Sequence, residues 1–478
     1  MSATLDTLRS HLLPGELFEK GTVQYNDQSK PWSTHADQHP LVVFTPSSLE
    51  SMSQIVKVLC DSDLDFAVRN TGTGSASAKD VILSTHGFKS FEYDKSTHVL
   101  TVGSGLCWGE VDAWMEDNVP GYSVVGARCS WVGVTGAALV GGLSWLSHEF
   151  GMISDPQNML DVQIVLRDGR VLWASEEPDL LWALRGGGGN FGVVTALKLQ
   201  ARPYPTQIFS GLVSVPYQSL KEASKVVADM AARTADPRLA MHVVNLGPGM
   251  GFPDQGSKPD IGFLVYDANA TEHGLSEAGF KPVLDIPGAQ NFGTQELTIR
   301  QVNALAETFR DYQGSSHFWL SAPLIENVED DTLIRAWKWY ENCVDECEGF
   351  GSNSTVLLEF MQDKAYNSSG GRAATAWPHA GRRHVMQLVL GCKQEQAPLD
   401  LKDIAMRRMT NAATEISGPG KETGEYHAGF LHEWNDLEQV YGENYDKLRE
   451  IKMRYDPQNR FNKSINLAGS KKSSAIVT

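Results

Sequence analysis

The chain has 478 residues, 41% apolar and 21% charged, an ordinary globular composition that excludes a disordered or fibrous protein. Lys and Arg number 41 against 58 Asp and Glu, a formal charge of −17, and so acidic a surface repels nucleic acid and anionic membranes. Six scattered cysteines make no disulfide framework, and no run approaches the ~18 apolar residues of a membrane span. Residues 1–21 hold no basic stretch leading into an apolar core, so the expectation is a reduced, cytoplasmic protein.

At ~150 residues per domain, the length suggests three domains or two large ones. The first ~40 residues and the last ~12 lack a periodic apolar pattern and are expected to be loosely committed. Met52, Ile55, Val56 and Leu59 recur at helical spacing. Residues 66–69, 81–84 and 99–102 read as strands, and 110–115 and 178–184 as helices. In VQIVLRDGRVLWAS (162–175), Asp168-Gly169 marks a hairpin turn. The texture changes at Arg202-Pro203-Tyr204-Pro205. From 206 to 424, strands such as FSGLVSV, AMHVVNL, IGFLVY, TVLLEF and HVMQLVLG alternate with amphipathic helices, the pattern of an antiparallel sheet with helices on one face. Cys343 and Cys347 share a helix face; they are plain thiols, or half of a metal site that still needs two ligands. In the tail, Tyr445, Leu448, Ile451 and Tyr455 form a helical stripe that Asp456-Pro457 ends.

Three glycine-dense loops fall within 120 residues, at 69–77, 126–142 and 185–192. Glycine lets backbone N–H groups converge on one concave site and lets a ligand come close, which suits a pyrophosphate without lysine or arginine. Turns and close strand crossings are the plainer explanation of any one loop. No GxGxxG opens a helix after a first strand, and no GxxxxGK[ST] occurs, so neither a dinucleotide fingerprint nor a P-loop is present.

Taken in order, FAVRNTG (66–72), CSWVGVTG (129–136) with the following GG, EFGMISDPQNMLDVQIVLRDGRV (149–171), PDLLWALRGGGGNFGVVT (178–195) and the tail YGENYDKLREIKMRYDPQNRF (441–461) resemble the berberine bridge enzyme-like branch of the vanillyl-alcohol oxidase superfamily. The resemblance implies an α+β protein. Residues 1–205 would form a PCMH-type FAD-binding domain of two α/β subdomains, its matching part about 36–205. Residues 206–424 would form the substrate domain, and 425–478 would return to the FAD domain. It also implies FAD as cofactor. Arg69, Asn70, Thr71, Gly72, Thr73, Gly74 and Ser75 would cradle the pyrophosphate. Cys129, Val132, Gly133, Gly136 and Gly142 would run along the flavin and phosphates, and Asp155 and Asn158 would pack the next turn beside them. Gly192, Val193 and Val194 would hold the adenine side, with Asn459 and Phe461 closing over from the tail.

Family members often attach FAD through a histidine and a cysteine. Here the histidine place is Thr73, so that bond cannot form, while Cys129 keeps the cysteine. The expectation is a single cysteinyl link, with a buried free thiol as the alternative. Val132 stands where valine goes with oxygen access and leucine with poor access, which leans towards an oxidase. Gln387 matches the family's polarising position, although an amide is a poor base. Phe430 and His432 replace a Tyr-x-Asn pair; His432 could move a proton, its ordinary pKa being ~6.5. His379, in a Pro-His turn, reads as structural. The implied function is an FAD-linked oxidase passing hydride from a small organic substrate of specialised metabolism to flavin, with O2 as acceptor and no nucleic-acid or membrane partner. A redox-neutral isomerase or cyclase on the same scaffold is the alternative.

Overall fold

The computed structural model describes residues 2–233, 236–360, 370–379, 381 and 384–469. Three sheets organise them. The first has the strand order Leu17–Glu19, Val42–Phe44, Val81–Ser84, Phe66–Arg69; the last three are parallel and the first antiparallel. Parallel neighbours need a crossover, and helix Leu49–Cys60 supplies it. The Ser48 hydroxyl caps this helix by accepting from Ser51 N at 3.1 Å. Its stripe Met52, Ile55, Val56 and Leu59 is buried against Phe44, Phe66 and Leu83.

The N-terminal forty residues are not loose. Helix Ser2–Ser10 places Leu8 in that same core with Leu5 and Leu12 beside it, and Leu17–Glu19 pairs with Val42–Phe44. Leu5, Leu8 and Leu12 are a thin three-leucine stripe, short enough to pass for chance in the sequence. At the other end, residues 470–478 of the expected loose tail lie outside the described residues.

The second sheet has six strands, all antiparallel. Its spine is Val193–Pro203, flanked by Val99–Gly103 and Met159–Val165. The hairpin at Asp168-Gly169 forms as its turn residues predict, with Val165 opposite Val171 and Gly169 at φ +86°.

The third sheet has nine antiparallel strands and carries Leu239–Asn245, Thr355–Phe360, His384–Lys393 and Ser316–Ser321 side by side. Alternation sorts their side chains between two faces. Met241, Val243, Val356, Leu358, Met386 and Leu388 point to helices Leu220–Arg233, Thr332–Glu346 and Leu401–Ser417. Cys343 and Cys347 pack in the same core. The intervening residues face a cavity shared with the first two sheets.

The tail returns to the N-terminal half. On helix Tyr445–Tyr455, the stripe Tyr445, Leu448, Ile451 and Tyr455 packs in the core that holds Leu180 and Leu184. Lys452, fully buried, donates to Asp456 at 2.6 Å and to the carbonyls of Asn190 and Phe461 at 2.9 Å, tying the tail to the third glycine loop. No described helix is long and apolar enough to cross a membrane.

Candidate functional site

A cavity of about 1260 Å³ runs from the glycine loops to the free face of the nine-stranded sheet. That exceeds the ~300–1,000 Å³ pocket of a drug-sized ligand. Of the residues expected at the site, Arg69 to Ser75, Cys129, Val132, Gly133, Gly136, Gly142, Gly192, Val194, Phe461, Gln387 and His432 line it. Asp155, Asn158, Val193 and Asn459 do not. Asp155 accepts from Met152 N at 2.8 Å and meets His379 Nε2 at 2.7 Å, both side chains fully buried. Asn158 donates to the carbonyls of Phe150 and Met152. Val193 packs in the core beneath the first sheet. Asn459, at φ +52°, donates to Asn466, which does line the cavity.

The glycines divide by what a Cβ would meet. At Gly141 and Gly186 it would strike Trp377, at Gly142 Ile153, and at Gly192 the Val165 carbonyl, so these make room for protein. At Gly74, Gly136 and Gly189 it would meet nothing within 4 Å. These three line the cavity and leave it open to close approach. Among the described residues, the amides of Thr73 and Gly74 meet no protein acceptor. The cations nearby are engaged elsewhere. The Arg69 guanidinium donates to the carbonyls of Asp27, Lys30 and Thr71 at 3.0–3.2 Å. Arg460 donates to those of Leu59 and Leu64, and Lys463 pairs with Asp65 at 2.6 Å. The lining thus offers unpaired main-chain donors and open glycines, which fits the diphosphate of FAD.

Two loops are held in register. Thr71 Oγ1 accepts from Gly133 N at 3.1 Å, and Trp108 N donates to Val132 O at 3.0 Å. Cys129 lies on the cavity wall, half-buried. Burial pushes its thiol up to about 12, against an opposing pull from the Arg128 cation. Arg128 pairs closely with Glu359, and Glu359 accepts from Gln387 Nε2. All but Gln387 are at least nine-tenths buried, and burial raises the Glu359 carboxyl despite Arg128. Arg128 and Glu359 were not singled out in the sequence. The one available signal was a lone acid on an otherwise apolar strand, TVLLEF.

Burial also lowers His432 to about 4, so the ring is neutral. Its Nε2 accepts from Leu320 N at 3.1 Å, and the ring stacks on Trp434 at 4.4 Å. That lone pair is therefore engaged, leaving Nδ1–H as a donor.

Residues 40–175 match the FAD binding domain family model, and 425–467 the model described as berberine and berberine like. The chain is 34% identical over 470 residues to FAD-dependent monooxygenase prx3 of Penicillium roqueforti, covering 91% of this chain and 87% of that protein. The chain belongs to the berberine and berberine-like family of FAD-linked oxidoreductases. An uncharacterized FAD-linked oxidoreductase of Arthroderma benhamiae is 27% identical over 275 residues, 55% of this chain and 52% of that relative. The fold is that of the carbohydrate oxidase from Microdochium nivale, with a TM-score of 0.78 at 20% identity over 96% of this chain and 98% of the other. Family membership makes the chain an FAD-dependent oxidoreductase.

Proposed function

We propose that the protein is an FAD-linked oxidase of a small organic molecule. The observation that carries this is the continuity of one cavity from the open glycines Gly74, Gly136 and Gly189 to Gln387 on the substrate-side sheet. When bound, FAD supplies a hydride acceptor and passes two electrons onward. The chain positions the substrate. Gln387, anchored through Nε2 to Glu359, presents its amide oxygen to a substrate donor, while neutral His432 offers Nδ1–H. Glu359, its carboxyl raised by burial, is the proton acceptor nearest Gln387 in this arrangement. Val132, small and on the wall, supports O2 access and hence oxidase chemistry. Cys129, on the same wall, supports a single thioether link to the cofactor, with Thr73 unable to make a second.

Anaerobic bleaching of the flavin band by substrate, with recovery and peroxide release on aeration, is the expected behaviour. A flavin that its true substrate leaves oxidised would defeat the reading. Phe430 in the tyrosine place and the engaged Nε2 of His432 favour a redox-neutral isomerisation or cyclisation as the second reading. Product mass separates the two: two hydrogens fewer for oxidation, unchanged for isomerisation.

A further inference from the structure

The sheet face that lines the cavity has a polar end and an aromatic end. At the polar end stands Gln387, with Leu357 opposite it and the Glu359–Arg128 pair beside it. At the aromatic end is Phe318, opposite Gly391 on the same strand as Gln387. A Cβ at Gly391 would collide with the Phe318 ring, so the ring lies over that glycine. Trp32 and Tyr312 approach Phe318 with centroids 6.2 Å away, and Trp131 lies parallel to Trp32 at 6.5 Å and 9°. All four rings line the cavity. Gln387 and Gly391 are four residues apart, so the two ends are separated by about 13 Å at ~3.3 Å per residue. Val389, Leu320 and Thr355 line the track between them.

Charge on this face is confined. Among the cavity-lining residues of these strands, Glu359 is the one charged group, and Arg128 answers it. Because Gln387 Nε2 donates to Glu359, its oxygen is the atom offered to a ligand, an acceptor without net charge. A sugar would need hydrogen-bonding side chains along its whole length. On the track Val389 and Leu320 offer none; the Thr355 hydroxyl and the His432 Nδ1–H beside Leu320 are the polar groups there, which suits a mainly apolar body better than a sugar.

We infer that the substrate is an uncharged, elongated, mainly apolar molecule. It carries a hydroxyl or N–H donor at the reacting end, held by Gln387, and a flat ring about 13 Å away, seated against Trp32 and Phe318. The inference rests on the functional reading above, because it takes Gln387 as the reacting end.

Calorimetric titration of the holoenzyme with benzyl alcohol, p-terphenyl-4-methanol, p-terphenyl-4-carboxylate and xylobiose tests it. The outer rings should tighten binding of p-terphenyl-4-methanol about tenfold or more over benzyl alcohol. The carboxylate and xylobiose should bind at least about tenfold more weakly than p-terphenyl-4-methanol. Trp32→Ala and Phe318→Ala should each erase most of the length effect and leave benzyl alcohol unchanged, with flavin content as the check on folding. Xylobiose binding more tightly than p-terphenyl-4-methanol overturns the inference, as does a length effect that survives both variants. A protein purified without a flavin band defeats the functional reading instead, and calorimetry still measures the length effect in it.

Discussion

Gly136→Ala separates the needs of the cofactor from those of the fold. Gly136 sits in helix Val134–Ala138, opens onto the cavity, and would hold a Cβ with nothing within 4 Å and no unusual φ. Alanine in a helix is better than glycine by about 0.5–1 kcal/mol, so the apoprotein should gain stability. The same methyl enters the space a bound ligand occupies. Overpacking costs about 1–3 kcal/mol, or a roughly 5- to 150-fold loss of FAD affinity. Urea unfolding of the apoprotein and a fluorescence titration with FAD, both in a Cys129→Ala background to exclude covalent attachment, read the two effects. Gly133→Ala is the contrast, because its Cβ would overlap Asn70 Oδ1 and destabilise the apoprotein itself. An unchanged FAD affinity in a well-folded Gly136→Ala protein would refute the assignment of this loop to the cofactor.

Alkylation of Cys129 in the apoprotein should still be accelerating about tenfold per pH unit between pH ~9 and ~10, because burial pushes the thiol to about 12; a plateau below pH ~9 contradicts that environment. His148 and His427 are fully buried and lowered to about 4 and about 3, so the unfolded chain takes up their protons first as pH falls below ~6.5. Stability should therefore fall by about 2 kcal/mol per histidine between pH 7 and 5, measured by urea unfolding, and a flat profile contradicts neutral burial. Lys452→Met strands the buried Asp456 carboxylate and two carbonyls, and should cost about 3–5 kcal/mol and loosen the tail, seen as faster proteolysis near residue 461. Full stability in that variant would remove the tail's anchor from the account.

Elements with strong local signals were legible in the sequence. The Asp168-Gly169 hairpin, the stripe of helix Leu49–Cys60 and that of helix Tyr445–Tyr455 carry their periodicity within about a dozen residues. Helix Ser2–Ser10 did not show, because three leucines signal little until the first sheet gives them a core. The glycine loops were legible in the sequence as a cradle for a pyrophosphate, but not which of their glycines open onto the cavity. Only the folded contacts distinguish Gly136, which faces the cavity, from Gly141 and Gly186, which make room for Trp377. The Arg128–Glu359–Gln387 cluster joins a loop to two strands hundreds of residues later, and no spacing rule reaches across that distance. His432 was visible as a titratable side chain, whereas its acceptor nitrogen being taken by Leu320 N is a tertiary fact.

We propose that main-chain amides and open glycines, not cations, grip the diphosphate of FAD. Arg69, Arg460 and Lys463 border the cavity but are each bound to protein partners. The direct measurement is FAD affinity of Cys129→Ala apoprotein between about 50 mM and about 0.5 M salt, a range over which free ion pairs are strongly screened. One-to-one binding whose Kd shifts by less than about twofold is the predicted result, and binding that weakens about tenfold or more, or no binding at all, contradicts it.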